Sequence, residues 1–249
     1  MRKYTLFEIY PYEREIIINS HKFYVEQAKK RLLSQFDDLD NEIEVIAQEF
    51  YEESGKYFDP DFHDPDDFVE SAYDKAQEYV MMLWEMRTQT LFSIIAGMYH
   101  QWDKTLREWM VRQSKFWGGE NLTKQIWKVD ISKIFELFKG IGWNITEEPF
   151  YKYLDACRLV VNIYKHGNGI SLKNLREDYP EYFIDFSKPN FNLNSWYDHT
   201  SVIIVDGHFE NFASAIKNFW ERVPERIIDN DNFIAPKWVK DALDLDYKR

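Results

Sequence analysis

The sequence predicts an all-α protein, a helical bundle with one long helix and a minor two-strand ribbon. Three observations carry this. Glycine (9) and proline (8) are scarce in 249 residues, which disfavours a turn-rich all-β chain. Apolar residues recur at three- and four-residue steps along most segments, the spacing of amphipathic helices. Strand-like runs are few and short. Aromatic residues at 18% beside charged residues at 30% describe a globular chain long enough for a sizeable core.

Residues 1–18 are mixed and aromatic, with Ile16-Ile17-Ile18 their one strand-like piece. Asn19 or Ser20 stands where a helix to about Phe36 would be capped. Residues 37–57 read as a second helix, apolar at Leu39, Ile43, Ile46, Ala47 and Phe50. The acidic loop DPDFHDPDD follows; its carboxylates and His63 fit neither a calcium loop nor a zinc spacing, so it reads as a solvated lead-in. Asp64-Pro65 then opens the longest helix, as cap and first residue, with Asp66 and Asp67 at the positive helix end. Its periodicity continues through Ala72, Leu83, Ile95 and Trp109 to Gly118-Gly119, a length that favours a kink near Gly97 or a break near Thr88. Residues 121–139 form one shorter helix closed by Gly140-Ile141-Gly142.

After a short helical piece at 172–177, the β-prone runs 182–186 and 201–205 are expected to pair as the ribbon. Asp206 caps a clear helix lasting to Pro224, and a last helix starts at Pro236. The expected division is an N-terminal helical arm at 1–63, a bundle at 64–224 and a tail at 225–249.

The best site candidate lies in residues 146–171, TEEPFYKYLDACRLVVNIYKHGNGIS. Thr146 is a good helix cap, and Phe150, Tyr153, Leu154, Cys157, Val161 and Tyr164 mark a buried stripe. Gly167-Asn168-Gly169 ends the helix. Opposite the stripe, Arg158, Asn162 and His166 sit at i, i+4 and i+8, an arc of about 80°, flanked by Lys165 and Asp155. The end of a helix dipole favours a protonated ring at His166. On the long helix, His100, Asp103 and Arg107 share a face; alone they read as a solvated, ion-paired stripe. Cys157, the lone cysteine, excludes an intramolecular disulfide and reads as a small core residue.

The run Asn162-Ile163-Tyr164-Lys165-His166-Gly167 resembles the signature of the HEPN superfamily. These are helical-bundle proteins frequent in toxin–antitoxin and antiphage defence systems, and many are metal-independent endoribonucleases. Their pattern is an arginine, usually with a polar neighbour, then a histidine after four to six positions near a helix end. His166 matches the histidine and Asn162 the polar position, whereas Val161 stands where the arginine is expected. The nearest arginine is Arg158, one turn earlier.

The resemblance implies a homodimer with two motifs over the scissile phosphate and no metal or cofactor. His166 would act as acid or base, Arg158 or Lys165 as the anion clamp and Asn162 as an orienting group. His100 and Asp103 would support substrate from the long helix. RNA is the implied substrate, and a cognate antitoxin or regulatory partner is implied beside it. The alternative is a non-catalytic helical interaction or regulatory module with a degenerate motif, suggested by Val161 and by the density of Trp, Tyr and Phe.

The formal charge of −12 repels nucleic acid at long range, so RNA contact would need a local basic patch, of which Arg158, Lys165 and His166 are a small one. The N-terminal residues lack the apolar core of a signal peptide, and the most apolar run, 91–99, is about half a bilayer span. A cytoplasmic protein without membrane contact is therefore expected.

Overall fold

The structure is a computed structural model that describes residues 5–183, 198–229 and 233–248. It is helical nearly throughout. Helix α1 spans Pro11–Arg31, α2 Leu39–Gly55, α3 Pro65–Ser114, α4 Glu120–Lys128 and α5 Ile131–Gly140; α6 spans Tyr151–His166, α7 Ile170–Asp178, α8 Asp206–Arg222 and α9 Lys237–Tyr247. Strands β1, Thr5–Glu8, and β2, Arg226–Ile228, form one antiparallel ribbon. No helix among the described residues is long and apolar enough to cross a membrane.

Several elements differ from expectation. Ile16-Ile17-Ile18 lies inside α1, where helical context overrides β-branched propensity. The long helix is continuous over its 50 residues, through both Thr88 and Gly97. Residues 121–139 are two helices, because Asp130 takes an extended conformation (φ −62°, ψ 153°) and starts α5 anew.

The ribbon is not the one expected. Between 182–186 and 201–205 the described residues hold a single antiparallel bridge, Phe183 to Val202; residues 184–186 lie outside the described set. The two-strand ribbon instead joins the chain's distant ends, pairing Thr5 with Ile228 and Glu8 with Arg226.

The chain divides into two compact units, one of residues 1–25 with 95–249 and one of residues 26–94. These boundaries fall elsewhere than 1–63, 64–224 and 225–249. In the larger unit the core is aromatic. Phe7 of β1 is fully buried, with ring centroids of Trp109, Trp117 and Phe138 at 5.4, 5.7 and 6.0 Å. Trp109 and Trp117 donate their indole N–H groups to the carbonyls of Glu8 and Leu6, at 3.1 and 2.8 Å. The strand is thus held by side-chain donors as well as by its ladder.

Asp246 of α9 closes the start of α4. Its carboxylate accepts from the backbone N–H groups of Gly119, Asn121 and Leu122 at 2.8, 2.9 and 3.1 Å, donors that an isolated helix leaves unpaired. A Cβ at 119 would lie 2.6 Å from the Asp246 carboxyl carbon, so any side chain there would push the capping carboxylate aside.

The smaller unit is a helical hairpin of α2 and the first part of α3. Phe36, Leu39 and Val80 are its buried centre, with Ile43, Ile46 and Leu83 packed against them. In the acidic loop before α3 the polar groups satisfy one another locally: the Asp61 and Asp66 N–H groups donate to Asp59 and Asp64, and the Asp59 N–H donates to His63 Nδ1. No group of His, Cys, Asp and Glu among the described residues could hold a metal ion.

Candidate functional site

Helix α6 is wrapped on most sides. Leu154, Ala156, Cys157, Leu159, Val160, Val161 and Ile163 are all buried, a wider apolar surface than the single stripe read from the sequence. Tyr164, assigned to that stripe, is 42% exposed instead. The accessible seam carries Asp155, Arg158, Asn162, Lys165 and His166, as the helical spacing requires.

Sharing a seam is not sharing a contact. Arg158 is bound to Asp155 three residues before it, with Nε and Nη2 at 2.8 and 2.7 Å from Oδ1. The other carboxylate oxygen accepts from the Tyr179 hydroxyl at 3.1 Å. Both side chains are largely shielded, at 26% and 13% exposure. Burial works against the Arg158 charge, but Asp155 more than offsets it and holds the guanidinium pKa above its ordinary value. Burial, then Asp155, also raises the Tyr179 hydroxyl. His166 lies eight residues on, about 12 Å along the axis. Arg158 therefore belongs to a local triad.

Asn162 is half-buried, and its amide makes no hydrogen bond among the described residues. Lys165 and His166 are exposed. Gly167 ends the helix at φ +68°, donating its N–H to Ile163 O at 2.7 Å; a side chain in that conformation would be strained. Next to it, Asn168 Oδ1 accepts from the backbone N–H of His199 at 2.8 Å and lies 3.2 Å from His199 Nδ1. A Cβ built on Gly167 would sit 3.8 Å from that ring nitrogen. Two imidazoles, His166 and His199, thus flank one turn. His199 was not legible in the sequence, since it lies far along the chain and only the Asn168 side chain brings it in.

The α3 candidates are placed differently. His100 is exposed, its ring 6.0 Å from Tyr99. Tyr99, not His100, faces α6: burial foremost, then Asp103 and Cys157, push its hydroxyl well above the usual range. Asp103 is committed to Arg107, whose Nε lies 3.0 and 2.9 Å from the two carboxylate oxygens. The Arg107 Nη1 donates to the carbonyls of Ile126 and Val129 at 2.5 and 2.9 Å, satisfying the end of α4. Arg107, 7% exposed, is a structural cap, which leaves Asp103 as its counter-ion.

Cys157 is fully buried, and burial pushes its thiol up; it is not a nucleophile. A cavity of ≈ 540 Å³ beside Gly140, Gly142, Ile234 and Pro236 shares no lining residue with the α6 seam. No protein-family model matches the chain, and neither a curated protein nor a solved structure matches it.

Proposed function

We propose that the chain is a HEPN-like helical protein that works by binding, a non-catalytic interaction or regulatory module of a toxin–antitoxin or antiphage system. One observation carries this reading. Arg158, the only arginine on α6, is neutralised by Asp155 at 2.7 Å, and the position before Asn162 is the buried Val161. A phosphorane needs an unoccupied positive donor aimed at its oxygens, and the one guanidinium of α6 is already spent, which leaves on this seam only the lysine in the last turn.

A second reading, a metal-independent endoribonuclease acting on RNA as a homodimer, is favoured by exposed His166 and Lys165 beside His199. In that chemistry one imidazole takes the proton of the 2′-hydroxyl as its oxygen bonds to phosphorus. The other protonates the 5′-oxygen as the P–O5′ bond breaks, and Lys165 balances the charge.

Wild-type protein, His166→Ala and His199→Ala incubated with total RNA in chelator separate the two readings. The binding module leaves RNA intact in all three. Cleavage by the wild type that either substitution abolishes would overturn it in favour of the nuclease. Light scattering and co-purification with a co-expressed neighbouring gene product test the partner.

A further inference from the structure

The protein's net negative charge is confined to one of its two units. Residues 26–94 hold 18 of its 43 Asp and Glu and 6 of its 31 Lys and Arg, a formal charge of −12, so the rest of the chain is formally neutral. This acidic unit also exposes apolar side chains: Tyr51, Val69, Tyr73 and Trp84 are 39%, 42%, 46% and 42% accessible.

A groove runs between α2 and α3 in this hairpin. Buried Ala47 and Ala72 form its floor, and Tyr51, Val69 and Tyr73 its walls, around a cavity of ≈ 230 Å³ with Glu44 at the edge. Two alanines facing each other across antiparallel helices leave a hole of the kind a third helix fills with a leucine-like knob. Asp66 and Glu70 precede Tyr73 by seven and three residues and share its side of α3. Trp84 follows Tyr73 by eleven residues, about 20° round and about 16 Å along the same helix. The row is therefore about three turns long, with polar Gln77 between the two rings, the Arg87 guanidinium 5.6 Å from the Trp84 ring, and carboxylates at its Tyr73 end. Asp66 and Glu70 are exposed and make no ion pair among the described residues.

We propose that this groove docks a basic amphipathic helix of a partner protein, leucine-like side chains seated over Ala47 and Ala72 and Lys or Arg reaching Glu44, Asp66 and Glu70. Charge selects the occupant. A second copy of the chain would bring another −12 against the first, and RNA or an anionic membrane would be repelled in the same way. A cationic helix with one apolar face satisfies both the carboxylates and the rings. The proposal is independent of whether His166 is catalytic.

The test uses the full chain and a labelled Leu/Lys peptide of about five helical turns with leucine at the a and d heptad positions, followed by fluorescence anisotropy. Binding is expected, and about tenfold or weaker binding is expected for the same peptide with Ser in place of Leu or Glu in place of Lys. Tyr51→Ser with Tyr73→Ser should weaken it about as much; Glu44→Gln with Glu70→Gln, both on the surface and safe for folding, should weaken it and flatten its salt dependence. Equal binding of the Ser-for-Leu peptide would mean charge attraction alone and overturn the proposal. So would unchanged affinity in the Gln pair, or self-association of the wild type that the Tyr pair abolishes, which would make a second copy the occupant. His166→Ala should leave peptide binding unchanged, so this test and the RNA assay fail separately.

Discussion

Arg107→Met asks directly whether the α3 face is structural. The substitution keeps the aliphatic stem and removes the guanidinium that bonds Asp103 and the carbonyls of Ile126 and Val129. It strands a carboxylate whose side chain is 25% exposed and leaves two carbonyls at the end of α4 short of donors. Removing one member of a buried pair costs about 3–5 kcal/mol, and the partial hydration of Asp103 places this case near the lower end. At about 2–4 °C per kcal/mol for a chain of this size, a loss of about 3 kcal/mol lowers the melting temperature by about 6–12 °C. Thermal and urea unfolding followed by circular dichroism measure it. Asp103→Leu added to Arg107→Met should recover part of the loss, because the stranded charge is gone. A cost under about 1 kcal/mol, the scale of an exposed ion pair, would refute the reasoning and free Asp103 for a role towards substrate.

Three further outcomes follow from the same geometry. Asp246→Asn should cost about 1–3 kcal/mol, because an amide NH2 replaces the oxygen that accepts from Gly119 and Leu122 and leaves donors unpaired. Burial pushes that carboxyl up, but the backbone donors of Asn121 and Leu122 outweigh it and hold the pKa low; its contribution is therefore present above the ordinary carboxylate value near ~3.9 and lost as pH falls through the lowered one, so melting temperature should drop less steeply in acid for Asp246→Asn than for the wild type. Cys157 should resist a thiol reagent at pH 8 in the native protein and react fully in denaturant; rapid native labelling would contradict its burial. Asn162→Ala should leave stability unchanged or raise it by about 0.5 kcal/mol through helix propensity, and a marked fall in melting temperature would reveal a structural hydrogen bond at that amide.

Much of the fold was legible because long elements average out local ambiguity. Helices α3 and α8 combine many periods with clear ends, Asp64-Pro65 before one and Pro224 after the other. The errors are local or non-local extremes. The break at Val129-Asp130 hides because Trp127, Ile131, Ile134 and Phe138 keep three- and four-residue steps across it, although Trp127 is 47% exposed. The group that satisfies the break is Arg107, more than a turn's reach away in sequence. Strands of four and three residues are too short for alternation to register, and their partners lie at opposite ends of the chain. Three consecutive isoleucines mislead for the reverse reason: β propensity is weak beside the cost of breaking a 21-residue helix.

At α6 the spacing placed Asp155, Arg158, Asn162, Lys165 and His166 on one seam, but residue types alone do not say which of them are already paired. Asp155 stands three residues before Arg158, where a helix brings side chains together, and Tyr179 locks the carboxylate from beyond α7. A phosphate approaching Arg158 must displace a charge-assisted bond of 2.7 Å in a partly buried setting, and the displaced carboxylate would then repel it. Among the described residues Lys165 and His166 have no such competitor, yet they lie in the last turn, where the helix dipole is negative. Cations there stabilise α6 whether or not anything binds, while an anion gains from the side chains and loses to the dipole. The strong guanidinium is occupied and the accessible cations are weakly placed for an anion, which is why the acidic groove of α2 and α3 is the better place to look for a partner.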